Sequence, residues 1–121
     1  MKHSNVLTAE AFSTGRFEET YERLSDDMVW TIAGESVFIG KDEVVNNCRN
    51  VSDYFRSVDT DFRILGSIYS NGKAVVQGTA EFLREGKRMA FVHACDVYEF
   101  DEQDKLSRIT SYCVQEKSDP V

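Results

Sequence analysis

The chain has 121 residues, 41% of them hydrophobic and 12% aromatic, enough apolar material for the core of one domain and too much for global disorder. Lys and Arg number 14 against 21 Asp and Glu, and the resulting net charge of −7 repels phosphate backbones and anionic membrane surfaces. Nucleic acid and membrane are therefore excluded as expected partners, and no apolar run approaches the roughly 20 residues that a membrane helix needs.

Residues 1–5 lead into an amphipathic segment rather than the apolar stretch of a signal peptide, so a cytoplasmic location is expected. Val6, Leu7, Ala11 and Phe12 form a helical stripe, with Ser4 or Asn5 as N-cap, and Gly15 breaks it. Phe17, Tyr21 and Leu24 recur at helical spacing and predict a second helix, stopped by Ser25-Asp26-Asp27. Residues 28–32 (Met-Val-Trp-Thr-Ile) read as a short strand ended by Gly34. A third helix opens at Gly40, with Asp42 and Glu43 in its first turn, where the helix dipole favours negative charge. Its core face is Val44, Cys48, Val51 and Phe55.

After Asp61 the period changes to two. Four strands are predicted, near 61–70, 73–84, 87–100 and 105–115. Ser70-Asn71-Gly72 and Arg84-Glu85-Gly86-Lys87 are the hairpin signals between them. With no linker in view, the layout predicts a single α+β domain over 1–121, with helices on one face of an antiparallel sheet and 116–121 as a frayed tail.

The strand 88–100 has two apolar faces. One carries Arg88, Ala90, Val92, Ala94, Asp96, Tyr98 and Phe100; the other carries Met89, Phe91, His93, Cys95, Val97 and Glu99, so both are largely apolar. The chain's own helices can cover only one of them. The other predicts a homodimer through the outer face of the sheet, the alternative being cover by the C-terminal strand or a long loop.

Cys48, Cys95 and Cys113 are odd in number and form no CxxC pair, so they read as reduced, buried thiols. His3 and His93 have no metal-ligand spacing, and there is no glycine-rich phosphate loop and no HExxH; no metal or cofactor is expected. Asp96 stands mid-strand among small apolar residues. Burial there raises a carboxyl's pKa, so the group either stays protonated and handles protons, or is a structural Asp bonded to Arg84, Arg88, a Tyr hydroxyl or the backbone. His93 alternates to the opposite face and reads as an interface or satisfied core histidine.

Three stretches carry a family resemblance: residues 15–30 from Gly-Arg-Phe-Glu through Leu-Ser-Asp-Asp-Met-Val-Trp, residues 39–44 (Ile-Gly-Lys-Asp-Glu-Val), and residues 96–102 followed by Lys105-Leu106 and Tyr112. In that order and spacing the chain resembles the nuclear transport factor 2-like (cystatin-like) superfamily, in particular its SnoaL-like domains, the group of the polyketide cyclases and ketosteroid isomerases. The resemblance implies three N-terminal helices packed on a strongly curved antiparallel sheet, a cone-shaped open barrel with an apolar pocket inside, and frequent dimerisation. By its spacing Asp96 resembles the oxyanion-stabilising aspartate of the isomerases. The position of their first-strand general base is matched here by Ile32, and that of their first-helix tyrosine by about Thr8, so isomerisation by the familiar route is not expected. Cyclase-type aspartates are missing from the last strand, which offers Ser111, Tyr112 and Cys113. Asp96 is then a lone acid/base unless Glu35, Asp59 or Asp61 bends inward.

The expected lining of the pocket is Phe12, Tyr21, Trp30, Ile32, Asn47, Tyr54, Phe82, Arg84, Ile109, Ser111 and Cys113. Trp30 is the only Trp, and its indole N–H needs a partner if buried. Two functions stand open. One is an enzyme moving protons on a small apolar, carbonyl-bearing or cyclic molecule, in an isomerisation, cyclisation, dehydration or hydrolysis. The other is a non-catalytic ligand-binding or dimeric assembly module.

Overall fold

Asn71 and Gly72, and again Glu85 and Gly86, take positive φ values of 52°, 76°, 52° and 78°. Such pairs close two-residue turns whose twist matches that of the strands they join. They link β3 (Asp59–Ser70), β4 (Lys73–Arg84) and β5 (Lys87–Phe100), and β6 (Leu106–Gln115) follows after a connector. These are the predicted strands to within two residues at each end. The computed structural model describes residues 2–117. Of the tail expected over 116–121, residues 118–121 lie outside the described residues. Glu116 is tied to the sheet, its N–H donating to the Phe91 carbonyl at 2.8 Å.

The front of the chain departs from expectation. α1 (Ser4–Ser13) is capped by His3, whose Nδ1 accepts from the Asn5 N–H at 3.0 Å, rather than by Ser4 or Asn5. Its buried stripe is Val6, Ala9, Ala11 and Phe12, while Leu7 points out at 52% exposure. The second predicted helix is a 3-10 segment, Phe17–Arg23, of only seven residues. It runs straight into β1 (Leu24–Ile32), and a short strand not anticipated from the sequence, β2 (Ser36–Ile39), follows before α2 (Lys41–Ser57). Three N-terminal helices are thus corrected to one α-helix, one 3-10 segment and, beyond a β-hairpin, a second α-helix.

The strands form a six-stranded sheet in the order β2-β1-β6-β5-β4-β3. All neighbours are antiparallel except β1 and β6, which run parallel with Trp30 beside Ile109 and Ile32 beside Ser111. The fold is therefore α+β with a mixed sheet, not an antiparallel one. The sheet is not closed, because among the described residues β2 and β3 each lack a neighbour on their outer edge.

One face of the sheet is covered by α1 and α2, which bury Ala9, Phe12, Val44 and Cys48 against Met28, Trp30, Val76, Tyr98 and Ile109. Removing this much apolar surface from water is the main favourable contribution to folding. Glu10, buried on α1, is held by Lys2 at 2.8 Å and by the Ser67 hydroxyl at 2.7 Å, so its carboxylate is not left unpaired. The opposite face stays apolar and open: Ile68 is 69% exposed, Val114 65%, Val37 55% and Tyr112 51%.

Candidate functional site

α1 ends at Ser13 because Gly15 turns the chain away with a φ of +82°, and a Cβ there would stand 3.1 Å from the Phe55 ring. The short turn leaves Ser13 facing β5. Its hydroxyl donates to Asp96 Oδ2 at 2.8 Å and shares a short hydrogen bond with the Tyr98 hydroxyl. Asp96 lies opposite Val76 on β4 and Ser111 on β6. Ser111 in turn accepts from the Trp30 indole nitrogen at 3.1 Å. Four elements, α1, β1, β5 and β6, thus converge on one carboxyl.

Asp96 is 8% exposed. Burial raises its pKa above the usual carboxylate range, outweighing hydrogen bonds from Ser111, Ser13 and Tyr98 that stabilise the ionised form. Tyr98 is raised well above its ordinary value by burial and by Asp96. A carboxyl in this setting favours its neutral form and can donate a hydrogen bond.

The carboxyl borders a cavity of about 290 Å³. Phe12, Trp30, Ile32, Phe82, Ser111 and Cys113 line it together with Asp96. Rings meet edge-on along its wall, Phe12 and Trp30 with centroids 5.0 Å apart and Phe62 and Phe82 at 6.2 Å. No Lys, Arg or His belongs to the lining among the described residues.

Four expected lining residues lie elsewhere, and Ile109 is fully buried in the core instead. Tyr21 packs against the core from the 3-10 segment, on the side of Cys48 and Arg49. Asn47 and Tyr54 flank the apolar stripe of α2; the helix turns Val51 and Phe55 to the cavity, and Tyr54, 46% exposed, rests its ring on Phe82 from outside. Arg84 is exposed at the end of β4, beside the turn.

Sequence reasoning missed Ser13, Phe17, Phe62, Val92 and Ala94 as lining residues. Ser13 stood in reach of that reading, since it continues the Ala9–Phe12 face of α1 at the spacing i, i+3, i+4. Of the three carboxylates that could bend inward, Glu35 lines the cavity while Asp59 and Asp61 do not. The tight turn between β1 and β2 positions Glu35, its N–H donating to the Ile32 carbonyl at 2.9 Å.

Cys113 is an exposed residue at the cavity edge, yet desolvation of its thiol, with Asp96 and Glu35 near, pushes it up to about 11. A thiol held that high is a poor nucleophile at neutral pH. His93 lies on the outer face, its Nε2 3.3 Å from Glu116 Oε2.

No curated protein matches the chain. Among solved structures it is similar to a nuclear transport factor 2-like protein of unknown function from Cytophaga hutchinsonii, with 31% identity over 89% of this chain and 94% of that one and a TM-score of 0.80. It shares its fold with an LEH-like epoxide hydrolase of M. tuberculosis, at 18% identity, 91% and 82% coverage and a TM-score of 0.70. The same holds for a candidate polyketide cyclase from Sinorhizobium meliloti, at 14% identity, 91% and 94% coverage and a TM-score of 0.65. The model of the SnoaL-like domain matches residues 7–109, and the chain belongs to that family.

Proposed function

We propose that the protein binds a small, neutral, largely apolar molecule carrying one oxygen function, a carbonyl or a ring oxygen, with Asp96 giving that oxygen a hydrogen bond. The observation that carries this reading is a single buried carboxyl, shifted toward its neutral form, on the wall of an otherwise apolar cavity of about 290 Å³. A site of that shape takes its affinity from the apolar wall and its orientation from the few polar groups. The lack of a lining cation among the described residues argues against an anionic ligand.

Turnover needs a second group to move a proton. Glu35 is the other carboxylate of the lining, so the reading extends to proton-transfer chemistry: Asp96 as acid, stabilising negative charge that develops on the oxygen, and Glu35 as base. The same fold in a hydrolase and a candidate cyclase is compatible with either course and selects neither.

The protein acts in this reading as a homodimer through the open sheet face, where Val37, Ile68, Tyr112 and Val114 stand in water in the single chain. The test uses 2-decalone, a neutral bicyclic ketone. Saturable quenching or enhancement of the single Trp30 supports the reading, provided that Asp96→Asn weakens the response several-fold. A strictly linear response up to the solubility limit, with native mass spectra free of any co-purified molecule, overturns it.

A further inference from the structure

Behind Asp96 lies a second, much smaller hollow of about 30 Å³. It shares Ser13, Phe62, Ala80, Ala94 and Asp96 with the large cavity, but the rest of its wall differs: Thr14 just after α1, Val76, Gly78 and Thr79 from β4, and Arg63 and Ile64 from β3. Its origin is legible in the side chains. Gly78 falls between Val76 and Ala80 on the inward face of β4 and pairs with Ala94 on β5. Two of the smallest residues therefore meet where the sheet would otherwise be filled. The gap cannot be closed from β4, because a Cβ on Gly78 would come within 2.5 Å of the Arg63 carbonyl oxygen. The β3–β4 register also shifts here, between Ile64 and Gly66, which breaks the regular pairing of the strand beside it.

The hollow has the size and chemistry of a water site. A buried water needs roughly 10–15 Å³ of such space and two to four polar partners. The Asp96 carboxyl borders it together with Ser13, Thr14 and Thr79; Thr14 Oγ1 donates to the Glu10 carbonyl at 2.8 Å and accepts from Arg16 Nε at 3.2 Å, which leaves it one lone pair for a water. An apolar hollow of this size would stay dry, whereas this one has a carboxyl and three hydroxyl-bearing residues in its wall.

We infer that this hollow is a water-binding niche serving Asp96 from behind, separate from the ligand cavity in front. The carboxyl is then held between two media, an apolar cavity on one side and one or two bound waters on the other. A molecule that fills the cavity leaves the niche waters in place, and the proton of Asp96 keeps a route of exchange through them. The inference goes beyond the ligand reading, and its first test needs no ligand.

The test is water–methyl cross-relaxation by NMR on the free protein with labelled valine methyls. Val76 borders the niche and not the cavity, Val51 and Val92 border the cavity and not the niche, and Val44 is fully buried and borders neither. The expected result is a long-lived water contact at Val76 and none at Val44. A second measurement uses Val76→Ile, which places an extra methylene in the niche: with the water displaced, the Asp96 carboxyl titrates higher than in the wild type. Absence of a water signal at Val76 in the wild type overturns the inference whether or not the variant folds. So does a Val76→Ile protein whose Asp96 titration is unmoved. Either result leaves the binding of 2-decalone in the front cavity intact, and failure of 2-decalone to bind leaves the niche intact.

Discussion

The Trp30 indole and the Ser111 hydroxyl meet across the one parallel strand pair of the sheet, nitrogen to oxygen at 3.1 Å. Ser111 also stabilises the ionised form of Asp96 by a hydrogen bond. Its hydroxyl therefore ties the largest ring of the cavity to the buried carboxyl in its wall.

Ser111→Ala should leave the indole N–H without its partner, at a cost of about 1–3 kcal/mol in stability. It should also raise the Asp96 titration, since one of the hydrogen bonds opposing burial is gone. Urea denaturation reads the first effect, and NMR of the Asp96 carboxyl carbon reads the second. Unchanged stability would contradict the role given to this bond.

Asp96 should make the protein less stable as pH rises. Its folded pKa is raised, so its stabilising contribution is complete below the ordinary carboxylate value and is lost as pH climbs through the folded value. Asp96→Asn should remove that slope, so the variant gains on the wild type across this window and the difference then levels off. Urea titrations at a series of pH values check it; a difference of the opposite sign would mean that the hydrogen bonds from Ser13, Ser111 and Tyr98 outweigh burial.

Gly78→Ala should destabilise by about 1–3 kcal/mol, the usual result of forcing a methyl into filled space. The obstacle is the Arg63 carbonyl oxygen at 2.5 Å, which is backbone and cannot swing aside. Thermal unfolding measures the loss, and amide exchange at residues 62–66 should rise more than elsewhere in β3 if the strain is where the close approach places it.

Val92→Phe should fill part of the front cavity. The expected outcome is at least a tenfold loss of 2-decalone affinity, about 1.4 kcal/mol or more, with little change in melting temperature because Val92 is only partly buried. Trp30 fluorescence provides the readout.

The open sheet face should hold two chains together. Sedimentation at micromolar concentration is expected to give a dimer for the wild type and a monomer for the double variant Ile68→Lys, Val114→Lys, since each side chain now stands largely in solvent, 69% and 65% exposed. A wild-type monomer would refute this part of the proposal.

Much of the back of the molecule was legible because β3 to β6 alternate with period two and the turns between β3, β4 and β5 carry Asn-Gly and Glu-Gly. The same alternation placed Asp96, Tyr98 and Ala94 on one face. β2 escaped because Ser36–Ile39 is only four residues between two glycines, too short to show a period. The seven-residue segment Phe17–Arg23 has helical spacing, but a stretch that short has little to select an α-helix over a 3-10 turn. Ser13 could not be assigned to Asp96 from sequence, since the two are 83 residues apart and meet only through tertiary packing. Tyr54 was misplaced by a single step of helix phase, being next to Phe55, which does face the cavity.

The parallel pairing of Trp30 with Ile109 has a consequence for biosynthesis. During translation β1 and its hairpin partner β2 leave the ribosome long before β6, so the neighbour that seals Met28 and Trp30 into the sheet arrives last. Until then the emerging polypeptide can form its β3–β4–β5 meander but carries two large unsealed side chains near its start. Nascent intermediates stalled ahead of residue 106 are the species on which a chaperone would find most to hold.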